Sequence, residues 1–409
     1  MGKANVYYFN PTCELAVANS SFSFMPPLLL QEMERDLSIL PFVFATENDF
    51  ILTENIPSDG FLQKLKHIGF NLPSFCSLAD MESLPSGLLG NICPWGWSPA
   101  AHFKLGKLKE KCDQEFRIDP ISIWRKDHQK LFERSSSLSL LTKIVNQNPP
   151  EWIIGRSLIG EIVTNCIEIE LLLKKHTSIV LKAPMSSSGR GIQIIRKPRL
   201  RESNKQWITG VLRQQNYLIA EPFLEKLIDF SFQFQILPNA EIKYLGYSVF
   251  ETNSNGQYKG TLINPYLKSI LPEENTSELE TMIGKTAMLL SEYLKKSLYT
   301  EFYHGFFGVD ALIFKHHDRL MIQPCIEVNS RMNMGVLSMY LEKQLHPQAT
   351  GKFELFYGKP GEYLNFVKEN LKLYPIKLRD EQLYSGFISL VEPTEDKKFG
   401  AYIALGTAR

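Results

Sequence analysis

The sequence predicts an α/β and α+β protein of two or three packed units, and three observations carry that reading. Its 409 residues exceed a single core on a scale of about 150 residues per domain. Hydrophobic residues are 44% and charged residues 22%, ordinary globular values that fit disordered, collagen-like and disulfide-framework classes poorly. Short β-like runs alternate with helical stretches, with no internal repeat or low-complexity tract.

In chain order, Val6 to Phe9 and Phe42 to Phe44 read as β-like, and Leu28 to Leu40 and Phe61 to Ile68 as helical, which predicts an α/β domain over 1–125. A polar, helix-like stretch from Lys126 to Val145 runs into Asn148, Pro149 and Pro150, a breaker cluster that marks a boundary. Next come a predicted helix over Ser157 to Lys175, strands at Ile179 to Ala183 and Ile192 to Arg196 around a Ser/Gly loop, a helix near Trp207 to Gln214 and a strand at Tyr217 to Glu221. These make a small α+β unit. Phe230 to Leu237 and Tyr244 to Glu251 are β-rich, with a turn at Asn253 to Gly256. The clearest helix is Ser277 to Leu298, where Ser277 and Glu280 match a capping box and Leu279, Met282, Ile283, Leu290, Tyr293 and Leu294 form an apolar stripe. Strands at Gly308 to Phe314 and Leu320 to Asn329 surround a polar HHDR turn, and Gly386 to Val391 and Phe399 to Leu405 form a terminal strand pair.

Composition narrows the function classes. Lys and Arg total 45 against 44 Asp and Glu, so there is no basic excess for a phosphate backbone or an anionic membrane, and neither nucleic acid nor membrane is an expected partner. The six cysteines are scattered with no C-x-x-C pair, which argues against a zinc cluster or a stapled scaffold and for buried, reduced thiols. MGKANVYYFNP has no basic stretch followed by an apolar core, Val6 stands where a myristoylation signal has Ser or Thr, and no apolar run approaches the ~18 residues of a membrane span. The expectation is a cytoplasmic protein.

Three segments carry chemistry. In KAPMSSSGRGI, Lys182 ends an apolar strand ahead of small residues whose backbone N–H groups suit phosphate oxygens, with Gly189 and Gly191 free to take positive φ. It is not a Walker loop: no Gly-Lys-Ser/Thr follows, and Ile192, Ile194 and Ile195 continue as a strand. In IAEPFLEKLIDFSFQF, a strand carrying Glu221 leads through a connector at Phe223 to Asp229, an acceptor suited to ribose hydroxyls, while connector backbone suits an adenine edge. In the third segment, Glu327 and Asn329 are two apart on a strand and share a face, with Arg331 continuing the row and Asp310 on the preceding strand. Two carboxylates and an amide oxygen are a hard, oxygen-only set suited to Mg²⁺ bridging nucleotide phosphates.

In this order, over roughly residues 130–345, the three blocks resemble the ATP-grasp superfamily of ATP-dependent ligases, which includes D-alanine-D-alanine ligase and biotin carboxylase. The resemblance implies an ATP-grasp fold: an N-terminal α/β domain (1–125), a linking helix and lid subdomain (126–222), a metal-bearing subdomain (223–350) and a C-terminal extension packed on it (351–409). It implies Lys182 and the loop Ser186, Ser187, Ser188, Gly189 and Gly191 on the ATP phosphates, and Glu221, Phe223 and Leu224 as the adenine hinge. It further implies Asp229 on the ribose, Asp310, Glu327 and Asn329 on Mg²⁺ or Mn²⁺, and Arg331 on the transferring group. The implied reaction phosphorylates a carboxylate, and an amine then attacks the acyl phosphate. A kinase on the same fold and a nucleotide-binding module without turnover are the rival readings.

Departures from the pattern matter too. The family's further basic residue on the helix entering the lid corresponds to Arg134 or Lys143, and the run Leu138, Leu140, Leu141 favours Arg134. Pro324 interrupts the second metal strand, implying an edge or a bulge and complicating the reach of Asp310. Gly308 stands where some ligases carry an arginine. In the amino-terminal domain, FNPTCELAV and CPWGWSP stand out, with Trp95 and Trp97 read either as a pocket wall or as a hydrophobic plug. Tyr258, Lys259 and Gly260 are candidates to approach the acceptor, and His316 and His317 read as solvated surface.

Overall fold

The computed structural model describes residues 3–186, 191–196, 199–253, 256–272 and 274–406. The chain divides into two compact units: Met1–Trp124, Lys259–Pro272 and Arg331–Arg409 form the first, and Arg125–Tyr258 and Glu273–Ser330 the second.

The first unit begins with β1 (Ala4–Tyr8), β2 (Phe50–Leu52), β3 (Ser74–Cys76) and β4 (Leu89–Pro94), all parallel and ordered β3-β2-β1-β4. Parallel strands need crossovers that cover both faces, so Val6, Ile51 and Leu89 are fully buried. The strand order reverses at β1, because the chain steps to β2 and β3 on one side and returns to β4 on the other. Phe42 to Phe44 is not a strand. Leu40–Val43 is a 3₁₀ turn with Pro41 in its first positions, and the apolar run that looks β-like is simply buried. The helix from Leu28 stops at Asp36, short of Leu40.

In the second unit, β5 (Glu161–Val163), β6 (Ile179–Lys182), β7 (Ile192–Ile195) and β8 (Leu218–Pro222) form an antiparallel sheet ordered β5-β8-β6-β7. Helices Cys166–Lys175 and Glu202–Gln215 bury Ile169, Leu173 and Ile208 against Leu181 and Leu218. The expected helix over Ser157 to Lys175 is therefore only its second half, because Asn165 takes extended φ/ψ and caps the Glu168 N–H, which fixes the start there.

A second sheet follows with β9 (Lys226–Ile236) and β10 (Ile242–Thr252). After β11 (Tyr258–Ile263), nearly all of which belongs to the first unit, β12 (Gly305–His316) and β13 (Arg319–Asn329) complete the order β13-β12-β9-β10. Its long helix is Thr276–Leu294, capped by Asn275 on the Glu278 N–H rather than by a Ser277/Glu280 box, and a separate short helix covers Leu298–Phe302. The first unit adds β14 (Gly351–Tyr357), β15 (Lys377–Arg379), β16 (Gln382–Ser389) and β17 (Phe399–Leu405), in the order β11-β14-β17-β16-β15, so the expected terminal strand pair is present. Among the described residues, no helix is long and apolar enough to cross a membrane.

Candidate active site

The register of the second unit brings its chemistry together. Asp310 on β12 lies directly opposite Glu327 on β13, and Gly308 opposite Asn329, so the three metal-ligand candidates share one face. Asn329 Nδ2 donates to Asp310 Oδ2 at 3.0 Å. Pro324 falls inside the break in register between Asp310/Glu327 and Leu312/Gln323, on the strand that begins the sheet order. The irregularity absorbs the proline and leaves Asp310 opposite its partner. Behind β13, the Ser137 hydroxyl accepts the Val328 N–H at 2.9 Å and so ties helix Arg134–Asn146 to the strand.

Arg134, at the first turn of that helix, is 4% exposed. Its Nη1 donates to Ala183 O at 2.8 Å and Ser186 Oγ at 2.6 Å, and its Nη2 lies 3.1 Å from Glu327 Oε1. One guanidinium therefore joins the start of the Ser/Gly loop to the metal strand, a task for a rigid, multi-donor fork. Lys143 sits on the exposed side of the same helix and takes no part.

Lys182 ends β6, is 5% exposed, and pairs with Glu221 Oε2 at 2.6 Å across the β6–β8 ladder. Cys325 is buried beside these groups. Burial pushes its thiol up, Asp310, Glu221 and Glu327 push it further, and Lys182 opposes them, so both strand pairs act on one point. Gly191 does not take positive φ. It is required for close approach instead, because a Cβ there would lie 2.3 Å from Ser186 Oγ and 3.1 Å from the Ala183 Cβ. Ser187, Ser188 and Gly189 lie outside the described residues.

On the hinge, the Phe223 N–H is taken by Ser178 O at 3.0 Å, and its ring lies 4.9 Å from the Arg196 guanidinium, a cation–π contact; Leu224 is half-buried beside it. Asp229 on β9 pairs with Lys226 and accepts from Thr252 Oγ1 at 2.9 Å, so Lys226 and Thr252 join this cluster although the sequence did not single them out.

Arg331 stands apart from the expected row. β13 ends at Asn329, and Arg331 belongs to the first unit, where its Nε donates to Glu14 Oε1 at 2.7 Å. There the two unusual amino-terminal motifs meet. Asn10 Nδ2 donates to Gly96 O at 2.8 Å and Asn10 Oδ1 accepts the Gly96 N–H, while Trp95 O accepts the Met332 N–H at 2.8 Å. Trp95 and Trp97 are buried, Trp95 edge-on to Phe9 and Trp97 against His102, so both are core residues of this unit. Gly260 packs against Glu354 of β14, and His316 and His317 are exposed in their turn.

Comparison of the sequence finds no match among protein-family models and none among curated proteins. Solved structures do match. A biotin carboxylase from Campylobacter jejuni, described as a complex with β,γ-ATP, aligns over 100% of this chain and 88% of its own at 11% identity, with a TM-score of 0.51. An N5-carboxyaminoimidazole synthetase from Staphylococcus aureus, complexed with ADP, aligns over 99% of this chain and 94% of its own at 13% identity, with a TM-score of 0.46. The likeness to the biotin carboxylase extends over the whole chain and establishes an ATP-grasp fold. At this identity it establishes the fold alone.

Proposed function

We propose that the protein is an ATP-dependent ligase that activates a carboxylate as an acyl phosphate and joins it to an amine. The observation that carries the reading is the Arg134 guanidinium, buried and shared between Ser186 of the loop and Glu327 of the metal strand. An ATP-grasp fold gives such an arrangement a nucleotide to act on. In this reading Lys182, Arg134 and the loop from Ser186 to Gly191 hold the phosphates, Glu221, Phe223 and Leu224 the adenine, and Asp229 the ribose.

Asp310, Glu327 and Asn329 fit Mg²⁺, or Mn²⁺, by donor chemistry: two carboxylates and an amide on one strand face, few enough that phosphate oxygens would complete the shell. The ion, when bound, neutralises phosphate charge. A carboxylate oxygen attacks the γ-phosphorus and ADP leaves; the amine nitrogen attacks the acyl carbon, phosphate leaves, and the nitrogen loses a proton. The chain's own contribution is electrostatic positioning by Arg134 and Lys182, with no protein nucleophile. The substrates are small molecules, and six unpaired thiols fit a cytoplasmic setting.

The test is ADP formation with MgATP and candidate carboxylates and amines, singly and together, followed by the mass of the product. A condensed amide formed only when both are present supports the reading. A phosphorylated product that accumulates stably while amines are supplied would make the protein a kinase.

A further inference from the structure

We propose that the first unit holds a binding site for a primary amine with an apolar body, in the cavity over the carboxyl ends of β1, β2 and β4. That cavity measures about 690 Å³ and is lined by Tyr8 at the end of β1 and Phe9 after it, Thr53 after β2 and Ser98 after β4. Its size is that of a small-molecule site, roughly 300–1,000 Å³. Its location is equally telling, because the strand order reverses between β1 and β4, and open parallel sheets bind ligands in the crevice at such a reversal.

The two ends of the cavity differ in chemistry. At the rim, Phe22, Met25, Leu28 and Phe103 are 53%, 72%, 71% and 71% exposed although large and apolar. Four such side chains around one opening are a patch for an apolar body to cover, not scattered surface residues. The polar end is Glu34, on the helix Leu28–Asp36. The Thr12 N–H and hydroxyl both donate to its Oε1, at 3.2 and 2.6 Å, which fixes the carboxylate. Among the described residues its Oε2 has no hydrogen-bond partner.

The charge balance selects the ligand's sign. Glu32 is held by Lys398 at 2.8 Å, and Arg35 sits 3.3 Å from Asp36, so both are already committed. Lys104 lies 4.7 Å from the centre of the Tyr8 ring. That leaves Glu34 and Glu54 facing a single lining cation, an arrangement that favours a cationic ligand. Burial also pushes the Glu34 carboxyl above its ordinary range, with the Thr12 donors and then Lys104 pulling it back. An ammonium donating to Oε2 would offset that desolvation. Binding of the amine needs no nucleotide; its identification as the acceptor of the ligase reaction rests on the reading proposed above.

The experiment is isothermal titration of the full chain, without nucleotide, with 2-phenylethylamine, 2-phenylethanol and 3-phenylpropionate. The amine should saturate one site about tenfold more tightly than the alcohol, as a charge-assisted hydrogen bond requires, and the propionate should bind least. Glu34→Gln should erase the preference for amine over alcohol, while Phe103→Ser, at an exposed position, should weaken both alike. Equal binding of amine and alcohol by the unaltered protein, tighter binding of the propionate, or no saturable binding of the amine would each overturn the proposal. A separate titration of the unaltered chain with MgATP separates the two readings, because binding of the amine needs no nucleotide. Amine binding by a protein that fails to bind MgATP would leave this site standing and remove the ligase.

Discussion

In the second unit, Arg134 and Lys182 are charged groups at 4% and 5% exposure, each tied to a carboxylate. In the first unit, the groups buried around β1 and β4 include Tyr7, Cys13 and Cys112, which burial holds in the neutral form they ordinarily have. Both units bury charge, but the most buried charged side chains of the first are the carboxylates Asp36 and Asp49, 1% and 3% exposed, which accept the backbone N–H groups of Lys398 and Phe399 and of Asn5 and Thr46, whereas those of the second are cations that face carboxylates. Replacing a buried ion pair by apolar residues of similar volume is often neutral or stabilising, so two such pairs side by side mark a region shaped by what it binds. The comparison yields expectations for each half.

The largest effect is expected at the Lys182–Glu221 pair. Lys182→Met leaves Glu221 charged and without its cation, a loss of about 3–5 kcal/mol, and it should also weaken ATP binding. Urea unfolding of the single variant and of Lys182→Met with Glu221→Leu tests this, since the double variant should recover most of the stability and none of the nucleotide affinity. A single variant as stable as the unaltered protein would show that the pair is not buried in practice, and the contrast between the units would fail.

Next comes Glu327→Gln, which keeps an acceptor for Arg134 but removes a carboxylate opposite Asp310. Mg²⁺-dependent ADP formation should fall about 10²- to 10³-fold, the scale of losing one fixed electrostatic group, with the far-ultraviolet circular dichroism spectrum unchanged. Full activity in this variant would remove the metal assignment. Lys143→Ala, on the exposed side of the helix, is the control and should change neither quantity.

How much of this was legible in the sequence follows from which contacts are local. Glu327 and Asn329 could be placed on one face because strand side chains alternate, and Asp310 could be set opposite them because the two strands flank a short turn. Arg134 could be preferred to Lys143 from the leucines that follow it, but its attachments to Ser186 and Glu327 join residues 52 and 193 positions away. The partners Ser137, Lys226, Thr252 and Glu14 gave no signal, since each depends on packing between elements rather than on spacing within one. Local chemistry also misled. Phe42 to Phe44 is apolar enough for a strand and too short for periodicity to decide, and Asn275 outcompeted Ser277 as a cap. No pattern marked 259–272 and 331–409 as parts of the first unit.

The first unit offers a steric test of its own. A Cβ on Gly96 would lie 2.3 Å from Cys13 Sγ and 3.2 Å from the Arg331 Cβ, at the clasp made by Asn10. Gly96→Ala should therefore cost about 1–3 kcal/mol, as overpacking does. Gly96→Ala paired with Cys13→Ala should recover part of it, because the nearest clash is with the sulfur. An unchanged melting temperature in the single variant would mean that the FNPTCELAV and CPWGWSP segments separate easily, and this interior would be looser than that around Arg134.

The smallest effect is a pH dependence set by a buried thiol of the first unit. Burial, with Asp113 adding to it against Arg117, Lys109 and Lys3, pushes the Cys112 thiol from 9.0 to about 12. In the unfolded chain the thiol loses its proton near its ordinary value, while in the folded chain it keeps it. The unfolded state therefore binds fewer protons above pH 9, and the stability this group contributes is complete below its unfolded value and lost as pH rises toward its folded one. Comparing the protein with Cys112→Ala by urea unfolding under reducing conditions isolates that contribution from those of the other buried thiols. The stability gap should narrow by just under ~1 kcal/mol between pH 8 and 9.5. A gap that stays constant over this interval would mean that the thiol titrates alike in both states, so that the interior around β4 admits water and the contrast with the buried cations of the second unit is smaller than the burial of Cys112 implies.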